Sequence, residues 1–474
     1  MLTLADIIEG LTGYRWPTAE SQRISQVVID SRQATPGTLF VALPGEHQDG
    51  HDYVADAFDR GAIAAIVHRT LDIRGWTLDV EEQRSHTLVP DSLSLPVCFK
   101  VTHSLKGLQQ LATYWRARFN PRVVGITGSV GKSSTKELAW AVLRQRFNTL
   151  KSPGNLNNEI GLPLTLLRLD DLYERVVLEM GMYDLGEISE LCAIAAPDVG
   201  VVTNVGPSHL ERLGKIEHIA QAKAELVQAL PADGVAILNH DDPFVRQMAQ
   251  RTQARVFTYG LTSEADLWAS DIVSEGLEGI RFVLHYQAEA IHARVPLLGR
   301  HSVHTALRAA AVGLIEEMAW HEIMTGLHDN AVQLRLVSVP GINGAILLDD
   351  TYNASPASTI AALNLLDDLS GRKIAVIGDM AELGDYEEEG HRKVGCRAAD
   401  TVSLLVTIGS KARLIAEEAH SCGLPSDAII QVETNDQAIA YLRQTVLHGD
   451  IVLVKGSRSM AMEEIVAALQ VPAG

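Results

Sequence analysis

The run Arg122-Val-Val-Gly-Ile-Thr-Gly-Ser-Val-Gly-Lys-Ser-Ser134 passes from an apolar strand into a glycine-bearing loop. Leu138/Val142 and Ala139/Leu143, paired at i, i+4, then predict a helix. Strand, loop and helix in that order are the setting of a phosphate-binding loop. Glycines at 128 and 131 let backbone N–H groups turn inward, and a helix N-terminus adds partial positive charge for phosphate oxygens. Thr127, Gly128, Ser129, Val130, Gly131, Lys132, Ser133 and Ser134 are therefore the nucleotide-binding candidates, with Lys132 reaching the outer phosphates and the Ser133 hydroxyl available to Mg2+. Ile126 stands where the strict pattern has glycine, so the match is to the looser T-G-x-x-G-K-[ST] form. A glycine turn that binds nothing is the alternative, and the ordered lysine and hydroxyl argue against it.

Outward from this run the chain has three rhythms, as its 474 residues lead one to expect. Before residue 100, Gln26–Ile29, Leu39–Leu43 and Ile63–Val67 read as strands and Asp52–Arg60 as helix. The polar stretch 70–97 reads as a surface insertion. In the middle part, apolar strands at Val176–Leu178 and Val199–Val202 give way to alternation at Ile280–Leu284 and Ile291–Leu297. Antiparallel strands appended to a parallel sheet are expected there. From about 332, Ile346–Leu348, Ile374–Ile377, Leu404–Ile408, Ile429–Val432 and Ile451–Val454 alternate with helical segments, which predicts a second doubly wound sheet.

Basic residues number 40 and acidic ones 59, a net charge of −19, and no Lys/Arg block stands out, so nucleic acid is excluded as a first partner. Cysteines 98, 192, 396 and 422 are too sparse for a disulfide framework, which fits a reducing compartment. The N-terminus has no signal-peptide pattern and reads as a short amphipathic helix, and no apolar run is long enough for stable membrane insertion. A cytoplasmic protein is expected.

Three further residues carry chemistry. Glu179 ends a parallel strand, where a carboxylate faces the ligand crevice and can hold Mg2+. A solvated strand-end carboxylate is the plain alternative. His209 follows the next strand in Val205-Gly-Pro-Ser-His209, as a ligand or as an ordinary surface histidine. Lys223 falls on the apolar face of a helix with Ile216, Ile219, Leu226 and Leu230. Snorkelling is the simpler reading of that helix. The sharper one is a desolvated amine that adds CO2 and becomes an anionic carbamate.

Together with Thr127–Ser133, the motifs Gly154-Asn-Leu-Asn-Asn-Glu-Ile-Gly-Leu-Pro-Leu-Thr165, Glu179-Met-Gly-Met182, Asn204-Val-Gly-Pro-Ser-His209 and Ala222-Lys-Ala-Glu225 closely resemble the ATP-dependent Mur ligases of peptidoglycan synthesis. Asp349-Asp-Thr-Tyr-Asn-Ala-Ser-Pro356, Gly378-Asp-Met-Ala-Glu-Leu-Gly384 and Lys455-Gly-Ser-Arg-Ser-Met460 resemble the branch that adds D-alanyl-D-alanine to UDP-N-acetylmuramoyl-tripeptide. Asp30-Ser-Arg32, Gly37-Thr-Leu-Phe-Val-Ala42 and Asp49-Gly-His51 resemble its UDP-sugar-binding domain.

The resemblance implies an α/β fold of three domains. A UDP-binding N-terminal domain would span 1–105, a central P-loop parallel-sheet ATPase domain with appended antiparallel strands 106–331, and a Rossmann-like C-terminal domain 332–474. It implies ATP as co-substrate and two Mg2+ ions, one on Ser133 and Glu179, the other on His209 and a carbamylated Lys223. Lys132, Lys223, His209 and Arg335 become the catalytic candidates. His301 and Asp350 join the ATP site. Ser31, Arg32, Asp49, Gly50, His51, Asn158, Tyr352 and Asn353 become substrate-binding candidates. The implied partners are UDP-N-acetylmuramoyl-tripeptide and D-alanyl-D-alanine, bound by a monomer. In Gly299-Arg-His-Ser-Val-His-Thr305, Ser302 and Thr305 replace two family asparagines near adenine, and Thr351 and Ser355 replace a serine and an asparagine.

Nearby alternatives are a diamino-acid-adding Mur enzyme, whose D-N-P-R motif is missing, and a folate polyglutamate ligase, which has no use for the UDP domain. A GTPase switch lacks its N-K-x-D motif here, and a non-catalytic scaffold has no use for Glu179, His209 and Lys223 together.

Overall fold

The computed structural model describes residues 1–45, 48–73, 75–85, 94–207, 210–329 and 336–471. They form an α/β protein with three sheets. The first holds β1 (Val27–Val28), β2 (Leu39–Val41), β3 (Ala64–Val67), β4 (Trp76–Asp79) and β5 (Val97–Lys100), ordered β1-β2-β3-β5-β4 and parallel throughout. The N-terminal helix Leu4–Thr12 opens on a capping box: Thr3 Oγ1 accepts from Asp6 N, and the Asp6 carboxylate accepts from Thr3 N.

The reading of 70–97 as a surface insertion is corrected. Trp76–Asp79 is a strand paired with β5 in register Trp76↔Val97, and Leu78 and Val80 are buried. Trp76 also packs against Trp16, ring centres 6.1 Å apart. The polar flanks hid a short edge strand whose few apolar side chains all point inward. Residues 86–93 of that stretch lie outside the described residues.

The second sheet contains β6 (Arg122–Thr127), β7 (Thr149–Lys151), β8 (Arg175–Glu179), β9 (Val199–Val202), β10 (Val235–Asn239), β11 (Arg255–Gly260), β12 (Leu267–Ser274), β13 (Ile280–Tyr286) and β14 (Glu289–Val295). Its order is β14-β13-β12-β11-β10-β9-β6-β8-β7. β9, β10, β11 and β12 pair in parallel, and β12, β13 and β14 form the expected antiparallel extension.

The third sheet comprises β15 (Val337–Pro340), β16 (Ile346–Asp349), β17 (Lys373–Gly378), β18 (Leu404–Ile408), β19 (Ile429–Val432) and β20 (Ile451–Lys455), ordered β15-β16-β20-β17-β18-β19. Five strands run parallel, and β15 closes the edge antiparallel to β16. β15 ends on Pro340, whose missing N–H an edge strand tolerates. Alternate residues serve opposite faces: Leu347, Ile374, Val376 and Val452 join one apolar cluster, while Leu348, Ala375, Ile377 and Leu453 join another. Burial on both faces explains why these strands read as unbroken apolar runs.

By packing, the chain divides into two compact units: Met1–Gly125 with Phe147–Gly181 and Glu187–Asp198, and Ile126–Arg146 with Met182–Gly186 and Val199–Gly474. No helix among the described residues is long and apolar enough to cross a membrane. The cysteine reading is corrected in one respect. Cys396 and Cys422 form a disulfide with Cα atoms 5.3 Å apart. Their separation of 26 residues does not announce the pairing; the packing of helices Glu387–Thr401 and Arg413–Ser421 creates it.

Candidate active site

β6 ends at Thr127, and the helix Lys132–Leu143 begins four residues beyond Gly128. Gly128 has φ +145 and Gly131 φ +86. A Cβ on Gly128 would fall 1.8 Å from Thr203 Oγ1, so only glycine allows the loop to lie against the end of β9. That strand end clamps the loop. Ser129 N donates to Asn204 O, Val130 N to Asn204 Oδ1, and Thr203 Oγ1 and Asn204 Nδ2 both donate to Val130 O. Ser129 Oγ bonds the Gly206 backbone. Lys132 folds back so that Nζ donates to Gly128 O at 2.7 Å and Ser129 O at 3.4 Å. Thr127 Oγ1 is buried with no hydrogen-bond partner among the described residues. A half-buried ammonium and first-turn N–H groups thus converge on one loop, an arrangement that attracts phosphate.

Lys223 lies in the helix Ile216–Gln228 and is 2 % exposed. Burial, and after it the charge of Lys132, pushes its amine well below the ordinary lysine range. No carboxylate pairs with it among the described residues; Glu225, two positions on, accepts from Gly186 N instead. Snorkelling does not occur, and the desolvated reading fits. An amine held low in this way gives up its proton more readily than an ordinary lysine.

Beyond β16, Asp350 and Lys455 form a buried ion pair at 2.6 Å, and Lys455 Nζ also donates to Asn353 O at 2.8 Å. The pair ties the loop carrying Tyr352 and Asn353 to the end of β20. Tyr352 is half-buried and Asn353 exposed. Thr351 Oγ1 donates to Asp349, and Ser355 caps the helix Pro356–Asp368, so both family departures are accommodated locally. Lys455→Ala takes the cation away from the buried Asp350 carboxylate. It is expected to lower unfolding free energy by about 3–5 kcal/mol in a denaturant titration; a loss below about 1 kcal/mol would show that the pair is not needed to hold this loop.

His301 is exposed on the turn Arg300–Ser302. Ser302 Oγ donates to Leu298 O, and Thr305 Oγ1 accepts from Arg308. His304 Nε2 lies 2.8 Å from Asp241 Oδ2. The Asp241 carboxyl keeps a lowered pKa: burial opposes this, but His304, the Leu261 N–H and His240 outweigh it.

In the other unit Glu179 is fully buried and accepts from Asn157 Nδ2 at 2.8 Å. Asn158, the expected substrate residue, uses Oδ1 to accept from Gly161 N at the start of the helix Gly161–Leu166. Asn157 was not singled out; its place beside Asn158 in the repeated Asn was the available signal. Ser31 is buried. Arg32 is exposed and paired with Asp30, whose carboxyl it holds low together with its own backbone N–H. Asp49 accepts from both the backbone and ring of His51, while His51 Nε2 accepts from His68 N. Both ring nitrogens of His51 are thus occupied inside the domain, and Gly50 has no room for a Cβ beside Leu43. His209 and Arg335 lie outside the described residues.

Residues 126–313 match the Mur ligase middle domain, 334–458 the glutamate ligase domain of Mur ligases, and 23–92 the Mur ligase family catalytic domain. The chain is 35 % identical over 470 residues to the UDP-N-acetylmuramoyl-tripeptide–D-alanyl-D-alanine ligase of Bacillus subtilis, covering 98 % of this chain and 97 % of that one. It superposes on a crystal structure of MurF from Acinetobacter baumannii with a TM-score of 0.83 at 28 % identity, covering 98 % and 97 %. For the MurF ligase of Thermotoga maritima in complex with ADP the TM-score is 0.79 at 28 % identity, covering 94 % and 97 %. With similarity running from end to end over all three sheets, the chain belongs to the Mur ligase family.

Proposed function

We propose that the protein is an ATP-dependent amide ligase that joins D-alanyl-D-alanine to UDP-N-acetylmuramoyl-tripeptide, a step of peptidoglycan precursor synthesis in the cytoplasm. The observation that carries this reading is the end-to-end similarity to ligases of that name. The ADP held by the Thermotoga maritima relative supports a nucleotide in the loop Thr127–Ser134 here. The three sheets, ending at Lys100, Val295 and Lys455, support domains at 1–105, 106–331 and 332–474 for the UDP end, the nucleotide and the dipeptide respectively. The protein works as a monomer in this reading.

A carboxylate and an amine do not condense in water without activation. The γ-phosphoryl of ATP passes to the terminal carboxylate of the tripeptide, giving an acyl phosphate and ADP. The amine of D-alanyl-D-alanine attacks the acyl carbon and phosphate leaves. Lys132 and the loop N–H groups offset the charge on the transferring group. The donor chemistry suits Mg2+: Ser133 offers a hydroxyl and Glu179 a buried carboxylate, both oxygen ligands. A second ion would be held by His209 and by Lys223 as its carbamate, formed when the neutral amine adds CO2 and releases a proton. When bound, the two ions supply charge neutralisation between the anionic reactants. In this reading Arg335 and Asp350 serve the nucleotide and His301 its base, Arg32, Asn158, Tyr352 and Asn353 serve the two substrates, and Ser31, Asp49, Gly50 and His51 shape the UDP-binding domain around its ligand.

Incubating the protein with ATP, Mg2+, D-alanyl-D-alanine and the lysine- and diaminopimelate-containing UDP-tripeptides, then weighing the products, tests this directly. One UDP-pentapeptide with equimolar ADP and phosphate is expected. Product from a free amino acid or a folate acceptor instead would reassign the substrate.

A further inference from the structure

Arg308, on the helix Val303–Ile315, is 3 % exposed. Its Nε donates to Thr135 Oγ1 at 2.7 Å and Nη2 to Thr305 Oγ1 at 2.8 Å, while Nη1 reaches Tyr259 Oη at 3.5 Å. All three acceptors are neutral hydroxyls. No carboxylate among the described residues pairs with it. Asp241 and Asp242, whose charges reach Tyr259, are committed elsewhere. Asp242 accepts from Val205 N, Phe244 N and Val245 N, and Asp241 from Leu261 N and His304. An arginine stays charged, and a buried charge without a counter-ion is costly. The Tyr259 ring, 5.8 Å from Cζ, offers the cation a π face but no negative charge, so a full counter-charge is still lacking among the described residues.

The guanidinium packs against the phosphate loop. Nη2 sits 2.9 Å from where a Cβ on Gly131 would stand. Thr135 Oγ1, which accepts from Arg308, donates in turn to Gly131 O at 2.7 Å. The guanidinium therefore grips the first turn of the helix behind Lys132 through Thr135 and underlies the loop. Thr305, one of the two departures from the family asparagines, supplies its second acceptor.

We propose that Arg308 is a positioning residue of the nucleotide site, a buried cation whose counter-ion is the polyphosphate of the bound nucleotide. The inference rests on the reading of Thr127–Ser134 as the nucleotide loop. It makes the phosphate tail, rather than the base, the part of the nucleotide that Arg308 recognises, and it deepens the site with a cation that the loop motif does not contain.

Calorimetry on the full chain with adenosine, AMP, ADP and Mg-ATP tests it with two variants. Arg308→Gln keeps N–H donors for Thr135 and removes the charge. Its dissociation constant for Mg-ATP is expected to rise about tenfold, that for ADP less, and that for adenosine not at all. Arg308→Lys keeps the charge but not the fork, and is expected to bind Mg-ATP within about threefold of the parent. That variant decides the matter if Arg308→Gln does not fold, because a purely structural clamp would lose affinity in it. Equal losses for adenosine and Mg-ATP, or unchanged Mg-ATP binding in Arg308→Gln, would overturn the proposal. If the parent chain itself binds no ATP, or Lys132→Ala binds it as well as the parent does, the nucleotide reading fails first and this inference with it.

Discussion

Lys132→Ala ends ATP turnover. A coupled phosphate-release assay with both substrates present is expected to show kcat/KM lower by on the order of a thousandfold. Binding of the UDP-tripeptide, followed separately by calorimetry, stays unchanged. The reason lies in what Nζ does in the loop. It rests on the carbonyls of Gly128 and Ser129, neutral acceptors that a phosphate oxygen can replace with a stronger, charge-assisted partner. Removing the amine leaves in place the bonds from Asn204, Thr203 and Gly206 that clamp the loop. The loss is therefore one of charge at the transferring group and not of folding. Retained ATP turnover would contradict the loop assignment.

Lys223→Ala also stops ligation, for a different reason. Ligation is expected to fall roughly a thousandfold, the equivalent of several kcal/mol of lost charge stabilisation. Short carboxylic acids added to the assay restore part of it, by occupying the space the carbamate would fill. Stability gives an independent check. The folded amine titrates below its unfolded value of 10.5, so the unfolded chain binds more protons between the two values. Stability should then rise with pH through that window, and Lys223→Met should flatten the rise. Activity should fall as pH drops through the depressed value, where the amine protonates and cannot hold CO2. Full ligation by Lys223→Ala would remove the carbamate from the scheme.

Much of this was legible in the sequence because the signals were local. The loop 127–134 shows itself by residue type and order, and the strands of the third sheet by apolar runs that burial on both faces demands. Where the determining contacts are long-range, the sequence does not show them. β4 was hidden in polar flanks because its stability comes from β5 and from Trp16, which is far away in the chain. The helix containing Lys223 could not by itself choose between snorkelling and burial; the surrounding packing chose burial. Lys455 was visible only as part of a motif, and its pairing with Asp350 bridges 105 residues. Arg308 gives no signal, because two of its three hydroxyl partners, Thr135 and Tyr259, come from distant parts of the chain and only Thr305 lies on its own helix.

The most direct measurement is a crystal structure of the full chain with Mg2+ and a nonhydrolysable ATP analogue. The expected density places the β- and γ-phosphates against the N–H groups of Gly131, Lys132 and Ser133, with Lys132 Nζ turned from Gly128 O toward the γ-phosphate. A triphosphate seated anywhere else, with Lys132 still resting on its own loop, would contradict the central claim.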